Sequence, residues 1–232
     1  MTDPDALAAL ESRVTALTRQ LARLEDTHAV KCLQYKYGYY IDKCLYDEAV
    51  TLFSDSGEVR FLNGIYRGRA GIRRLYCHWF RKYFTGGVNG PPRGLMFDHL
   101  MLQDIVDVAD DGLSAMGRFR VLLHGGCHES MREPIPNFPR QFWEAGIYEN
   151  TYVKEEGVWK IRCLHYNMLW QADYHQGWAN SDVHLTPMTR IYPEDPNGPD
   201  ELLAEAPRTW PEARVEPFHY PHPVTGKPWS PD

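Results

Sequence analysis

Apolar residues in the first part of the chain recur at helical spacing. Leu7, Leu10, Val14, Leu17, Leu21 and Leu24 alternate by three and four, an a/d seam of about two and a half heptads. Asp3-Pro4 ahead of it has the form of an N-cap followed by proline in the first turn. A seam this short does not stand alone in water, so it either packs on its own domain or joins another chain as a coil. The helical period resumes from His28 to Leu45. Leu33, Tyr37 and Tyr40 form one stripe there, and Tyr35, Tyr39, Asp42 and Tyr46 its neighbour. YDEAVTLF reads as a short helix. GEVRFLNGIYRGRAGIRRLYCHWFRKYF reads as a strand, a turn and another helix, with Ile72, Leu75 and Trp79 in period.

After GGVNGPPRG the pattern changes to strands. MFDHLMLQDIVDVADDGLSAMGRFRVLLHGG makes two strands around Asp110-Asp111-Gly112, and EAGIYENTYVKEEGVWKIRCLHYNMLW a second hairpin around Lys154-Glu155-Glu156-Gly157. The expected class is α+β, with three helices packed against one face of a curled antiparallel sheet. Residues 171–232 hold eleven of the 17 prolines, with Trp178, Trp210, Phe218, Tyr220 and Trp229 among them. The prolines exclude a long helix or a central strand, and the aromatics give the segment surface to bury. The expected organisation is an amphipathic helix over 1–27, an α+β domain over 28–170, and an extended arm over 171–232. The arm packs on this domain or on a neighbouring subunit.

Composition narrows the partners. Net charge is −6, and no run of Lys or Arg exceeds a pair such as Arg73-Arg74, which argues against nucleic acid. No apolar stretch reaches the roughly 20 residues of a membrane span, and the first residues lack the pattern of a signal peptide. Five scattered cysteines without a CxxC pair read as reduced thiols, and so as a cytoplasmic protein. Neither a G-x-S-x-G, a P-loop nor a G-x-G-x-x-G is present.

The last hairpin can be placed in register. A turn centred on Glu155-Glu156 pairs Val153 with Val158 and Tyr152 with Trp159. Tyr148, Asn150, Tyr152, Trp159, Ile161, Cys163, His165 and Asn167 then share one face, opposite Glu149, Val153, Val158, Lys160 and Arg162. The concave side is thus expected to carry Tyr148, Asn150, His165 and Asn167, a set that a one-residue slip would invert. Tyr35, Tyr39 and Asp42 lie at i, i+4 and i+7 and can face one cavity, with Tyr46 if the helix continues. Phenols offer stacking surface and a hydroxyl, and an aspartate among them is suited to proton transfer. The plain alternatives are tyrosines in the core and an Asp42 that caps the helix or pairs with Lys43 or Lys36. In HGGCHE, His124, Cys127 and His128 have a ligand-like spacing, but the glycines suggest a loop and no further ligands lie near. No metal is expected, and His124 is a candidate to reach the pocket from its strand end.

A helix ending in YYIDKCLYDEAVTLFSDSGEV, then YRGRAGIRRLY, a strand with FDHLM, and GIYENTYVKEEGVWKIRCL follow one another in a distinctive order. Over about residues 28–168 this resembles the SnoaL-like branch of the nuclear transport factor 2-like superfamily. The resemblance implies a cone-shaped curved sheet around a pocket that helices close. It also implies cofactor-free dehydratases, isomerases, cyclases and lyases, or non-catalytic subunits. His99 matches the strand histidine that pairs with the helix aspartate in the dehydratases, so Asp42 and His99 are the expected acid/base pair, with Tyr39 beside them. Tyr35, Tyr46 and Tyr148 would hold an aromatic substrate, and Asn150, His165, Asn167 and His124 its polar groups. The aromatic helix and the tail HYPHPVTGKPW are similar to bacterial diarylpropane lyases, which take water and then formaldehyde from a lignin-derived diol. Two alternatives stay open: a dehydratase or isomerase acting on another ring, and a silent dioxygenase-type subunit. A homodimer or homotrimer is expected, with no cofactor.

Overall fold

Helix α1 runs without a break over Pro4–Asp42, so the two helical stretches expected on either side of residue 28 are one rod. Neither proline nor glycine falls between Asp5 and Tyr37, and nothing there interrupts the hydrogen-bond ladder. The computed structural model describes residues 4–205, 208–212 and 214–230. The first half of α1 is exposed, and burial begins at Asp26. There the carboxylate accepts hydrogen bonds from Lys154 Nζ at 2.6 Å and Trp159 Nε1 at 2.8 Å. From that anchor Val30, Leu33, Tyr37 and Ile41 turn into the core. Among the described residues no helix is long and apolar enough to cross a membrane.

Helix α2 (Tyr46–Thr51) leads to strands β1 (Phe53–Phe61) and β2 (Gly64–Arg67). A second rod follows: α3 (Gly68–Arg73), a π-helical run over Arg74–Phe80, and α4 (Arg81–Thr85). Two long hairpins complete the sheet, β3 (Leu95–Val108) with β4 (Ser114–Cys127), and β5 (Gln141–Glu155) with β6 (Val158–Asp173). The short β7 (Glu201–Leu202) comes from the arm. Among the described residues seven strands lie in the order β3-β4-β5-β6-β1-β2-β7, forming a curved, unclosed sheet. It is mixed rather than antiparallel, because β1 pairs parallel to β6. These two strands are far apart in sequence, so no tight turn forces them to run oppositely. Inside the curve Tyr37 meets Phe53 and Tyr148 edge-on at 6.4 and 6.1 Å, and Tyr76 meets Phe80 at 5.3 Å. Such pairs each add about 0.5–1.5 kcal/mol beyond their burial.

The register of the last hairpin departs from expectation in two steps. The turn is Glu156-Gly157, with both φ positive, so Tyr152 pairs with Ile161 and Val153 with Lys160. That shift is by two residues and leaves the faces unchanged. Further on, Thr151 pairs with Cys163, so β6 holds one residue more than β5 between these pairs. The bulge reverses the β6 side chains from there to Met168, where a second extra residue, between the pairs Gly146–Met168 and Ala145–Trp170, restores the original faces. Leu164, Tyr166 and Met168 therefore turn inward. His165 and Asn167, expected on the concave side, lie on the outer face beside Arg60, Arg214 and Glu216. The expected loop at HGGCHE is also strand: β4 continues through Gly125 and Gly126 to Cys127. A Cβ on Gly125 would overlap the Phe142 ring, so the glycine lets that ring lie across the sheet.

The arm lies on its own domain. Arg74 holds Gly198 O at 2.9 Å and Asp200 at 2.6 Å, Asn63 brackets Met188, and Trp210 N donates to Leu169 O at 2.8 Å. Farther along, His219 sits between Asp107 and Glu149 at 3.2 and 3.3 Å. Arg118 beneath it donates to the carbonyls of Glu216 and Pro217.

The flipped His165 has a measurable consequence. Burial, then the Arg60 charge, brings its imidazole down to about 4 from 6.5. Between those values the unfolded chain holds a proton that the folded chain lacks. Stability is therefore full above pH 6.5 and falls as pH drops toward 4, by on the order of 3 kcal/mol. Urea denaturation of His165→Gln at pH 7 and pH 4.5 should show a smaller loss than wild type. An equal loss in both would remove His165 as the cause.

Candidate active site

The cone encloses a cavity of about 80 Å³. Its apolar wall includes Ile41, Phe61, Leu75, Phe80 and Leu123, and its polar groups are Tyr37, Tyr46, Tyr76, His99, Glu144, Tyr148 and Tyr166. Phe84 of α4, Phe138 and Leu185 of the arm also line it. The arm thus contributes to the cavity of its own chain.

Asp42 is the last residue of α1, and one of its oxygens joins helix to sheet. Oδ1 accepts the backbone N–H of His99 at 2.8 Å and lies 2.7 Å from His99 Nδ1. An ionised carboxylate can only accept, so Nδ1 carries the proton in this pair, and in the neutral ring Nε2 holds the lone pair. Among the described residues no hydrogen bond occupies Nε2. The His99 ring reaches two hollows. One is the cavity; the other is an open groove of about 410 Å³ between α1 and β3, which Tyr35, Tyr39, Asp42 and Leu102 also line. The pair therefore stands in the wall between groove and cavity.

Deeper in, Glu144 of β5 is 6% exposed. It accepts hydrogen bonds from Tyr166 Oη at 2.6 Å and from the Gln171 amide. Burial raises its carboxyl above the usual range, although the hydrogen bonds from Tyr166 and Gln171 pull the other way. It is disposed to hold a proton that a surface glutamate would lose. The phenols around it are affected alike. Burial drives Tyr37, Tyr148 and Tyr166 far above 10, so they remain neutral donors. Tyr37 and Tyr76 join hydroxyls at 2.7 Å. A Cβ on Gly146 would overlap the Tyr166 ring. Glycine there gives the Tyr166 hydroxyl its path to Glu144.

The Gln171 side chain also touches the closing segment. Its Oε1 accepts the backbone N–H of His184 at 2.6 Å and of Leu185 at 3.1 Å, while its amide donates to Glu144. One buried side chain thus spans the carboxylate and the arm over the cavity.

Of the residues singled out by sequence, His99, Tyr46 and Tyr148 line the cavity, and Asp42 adjoins it through His99. Tyr35 and Tyr39 share a hollow with Asp42, as their spacing required, but it is the outer groove, where Tyr39 is 73% exposed. The helix turns Tyr37 and Ile41 inward instead. Asn150 points inward yet serves the structure: its Oδ1 accepts the His165 N–H, and its amide joins Gln34 and Tyr152. It supplies a partner for a backbone group that the bulge leaves without one. His165 and Asn167 face the arm. His124 is on the outer face, 3.6 Å from Asp98 and against Trp143. Glu144 and Tyr166 escaped the sequence reading. Glu144 was within reach, since it has the same strand parity as Tyr148; Tyr166 was hidden by the bulge.

Comparison with known proteins gives the family. No functionally curated protein matches the sequence. Among solved structures, a candidate scytalone dehydratase from Novosphingobium aromaticivorans DSM 12444 superposes with TM-score 0.54 at 19% identity, over 74% of this chain and 99% of that one. A type 2 hexachlorocyclohexane dehydrochlorinase, LinA, gives 0.53 at 19% identity over 72% and 97%. The LinA-type3 enzyme of Novosphingobium barchaimii LL02 gives 0.52 at 19% over 73% and 99%. At such identities the likeness is one of fold. The model of the SnoaL-like domain matches residues 22–165, more than half of the 232 residues, and the chain belongs to the SnoaL-like domain family.

Proposed function

We propose that this protein is a cofactor-independent lyase that removes water from a phenolic aromatic substrate. The observation that carries the reading is one apolar cavity lined both by His99, which Asp42 holds from behind, and by the Glu144–Tyr166 pair. His99 Nε2 is the base and takes the phenolic proton, with Asp42 holding the ring in place. Glu144, kept protonated by burial, gives its proton to the benzylic hydroxyl, and water leaves. The product is a quinone methide. Where the substrate carries a terminal hydroxymethyl group, the Glu144 carboxylate takes its O–H proton, the adjoining C–C bond breaks and formaldehyde leaves. The bond's electron pair forms the stilbene double bond, the exocyclic pair of the quinone methide returns to the ring, and the phenolate recovers its proton from His99. No oxidant or reductant enters the balance. The neutral tyrosines orient the ring and donate to the developing phenolate.

Size sets how such a substrate lies. The cavity is about half the roughly 150 Å³ that holds a benzene, so it takes at most one ring, after a small outward shift of its walls. The second ring of a diarylpropane would occupy the groove against Tyr35 and Tyr39, with the reacting carbons beside His99. The same size supports a second reading, simple dehydration of a one-ring substrate. The paired Asp42 and His99 at an unfilled cavity speak against a silent subunit. Known members with dehydratase and dehydrochlorinase names share the fold and make elimination chemistry a natural use of it.

Incubation with a phenolic diarylpropane diol, with formaldehyde and stilbene absorbance followed together, separates these readings. Equimolar products support the full sequence, water loss alone supports the shorter one, and no product from folded protein with either substrate class rejects both. Asp42→Asn should lower kcat by about 10²–10⁴-fold, beyond what any fall in urea midpoint accounts for. Because Glu144 acts in its protonated form, the rate should fall as pH rises through its raised pKa. Glu144→Gln should be slow and lack that alkaline limb. Gly146→Ala should displace Tyr166 and cost about 1–3 kcal/mol of stability, read from urea denaturation, together with most of the activity.

A further inference from the structure

We infer that the N-terminal half of α1 is an assembly element whose leucine seam pairs with the same seam of a second copy of this chain. The inference stands apart from the proposed reaction. Leu7, Leu10, Val14, Leu17, Leu21 and Leu24 are 51–68% exposed, on a helix that is exposed throughout residues 4–25. Direction decides whether their own domain could cover them. At 100° per residue, the seam points roughly 170° away from the stripe of Asp26, Val30, Leu33, Tyr37 and Ile41 that packs on the sheet. On the continuous helix the seam therefore points away from this domain. The remaining alternative from the sequence, a coil with another chain, is therefore the one the geometry supports.

Three features point to a second copy as the occupant. The seam keeps a 3.5-residue period with leucine at every d position, so it is complementary to itself. The flanking e and g positions, Glu11, Thr18, Glu25, Ala6, Arg13, Gln20 and Thr27, set no like charges opposite one another in a parallel in-register pair. Burying the exposed halves of six aliphatic side chains on each of two copies removes on the order of 1,000 Å² from water, where specific interfaces begin. A free helical half of this length would also be marginal in water without a partner.

Sedimentation velocity of the full chain over a wide concentration range tests this. Wild type should sediment as an oligomer. Leu17→Glu with Leu21→Glu should fall to the mass of one chain, and the control Arg19→Glu, on the side of the helix away from the seam, should keep the wild-type mass. Val14→Cys with Leu17→Cys should form covalent dimers on mild oxidation, beyond any formed by the native cysteines, and this arm stands even if the glutamates disturb folding. A monomeric wild type, a glutamate pair that keeps the wild-type mass, or cross-linking no greater than wild type would overturn the inference.

Discussion

A single carboxylate oxygen joins the helical wall of this protein to its sheet. Asp42 Oδ1 takes both the backbone N–H and the ring Nδ1–H of His99. A negative charge at the C-terminal end of a helix is disfavoured by the helix dipole, by about 0.3–1 kcal/mol at exposed sites. It persists here because two donors from β3 converge on it. The same contact fixes where α1 ends, how α1 lies against β3, and which nitrogen of His99 is left for chemistry. Structure and proposed catalysis are therefore hard to separate at this residue, and Asp42→Asn, which keeps the shape, is more informative than a truncation.

Behind that contact the cavity is chemically sparse. Its many phenols are forced by burial to stay neutral, so they bind and orient but do not act as bases. In the proposed reaction, proton movement falls to His99 of β3 and Glu144 of β5. This accounts for a segment rich in tyrosine around one aspartate: the phenols supply an apolar wall that can still donate hydrogen bonds. Gln171 extends the arrangement outward, since the amide that touches Glu144 also holds the arm segment at His184 and Leu185. Closure over the cavity and placement of the acid share one side chain.

The α+β class, the two hairpins, the helical segments (though not that the first two form one rod) and the Asp42–His99 pair were legible in the sequence, because each rests on local periodicity or on a motif with fixed order. The failures have physical causes. The β6 bulge carries no residue signature, yet it moved His165 and Asn167 to the outer face and Tyr166 to the inner one. The spacing of the tyrosine stripe was legible, but not that Tyr35 and Tyr39 line the outer groove rather than the enclosed cavity, because a helix shows its own periodicity and not which side meets the sheet. Glu144 was missed only because the strand parity was not followed two pairs farther back. The parallel β1–β6 pairing is a long-range contact that no local pattern encodes.

The central claim is that Asp42 fixes His99 as a base with Nε2 free. The nitrogen-15 chemical shifts of the His99 ring, observed by NMR in wild type and in Asp42→Asn, test it most directly. The account predicts a neutral ring protonated at Nδ1 in wild type, with that preference lost in the variant. A ring protonated at Nε2, or one indifferent to the substitution, would contradict it.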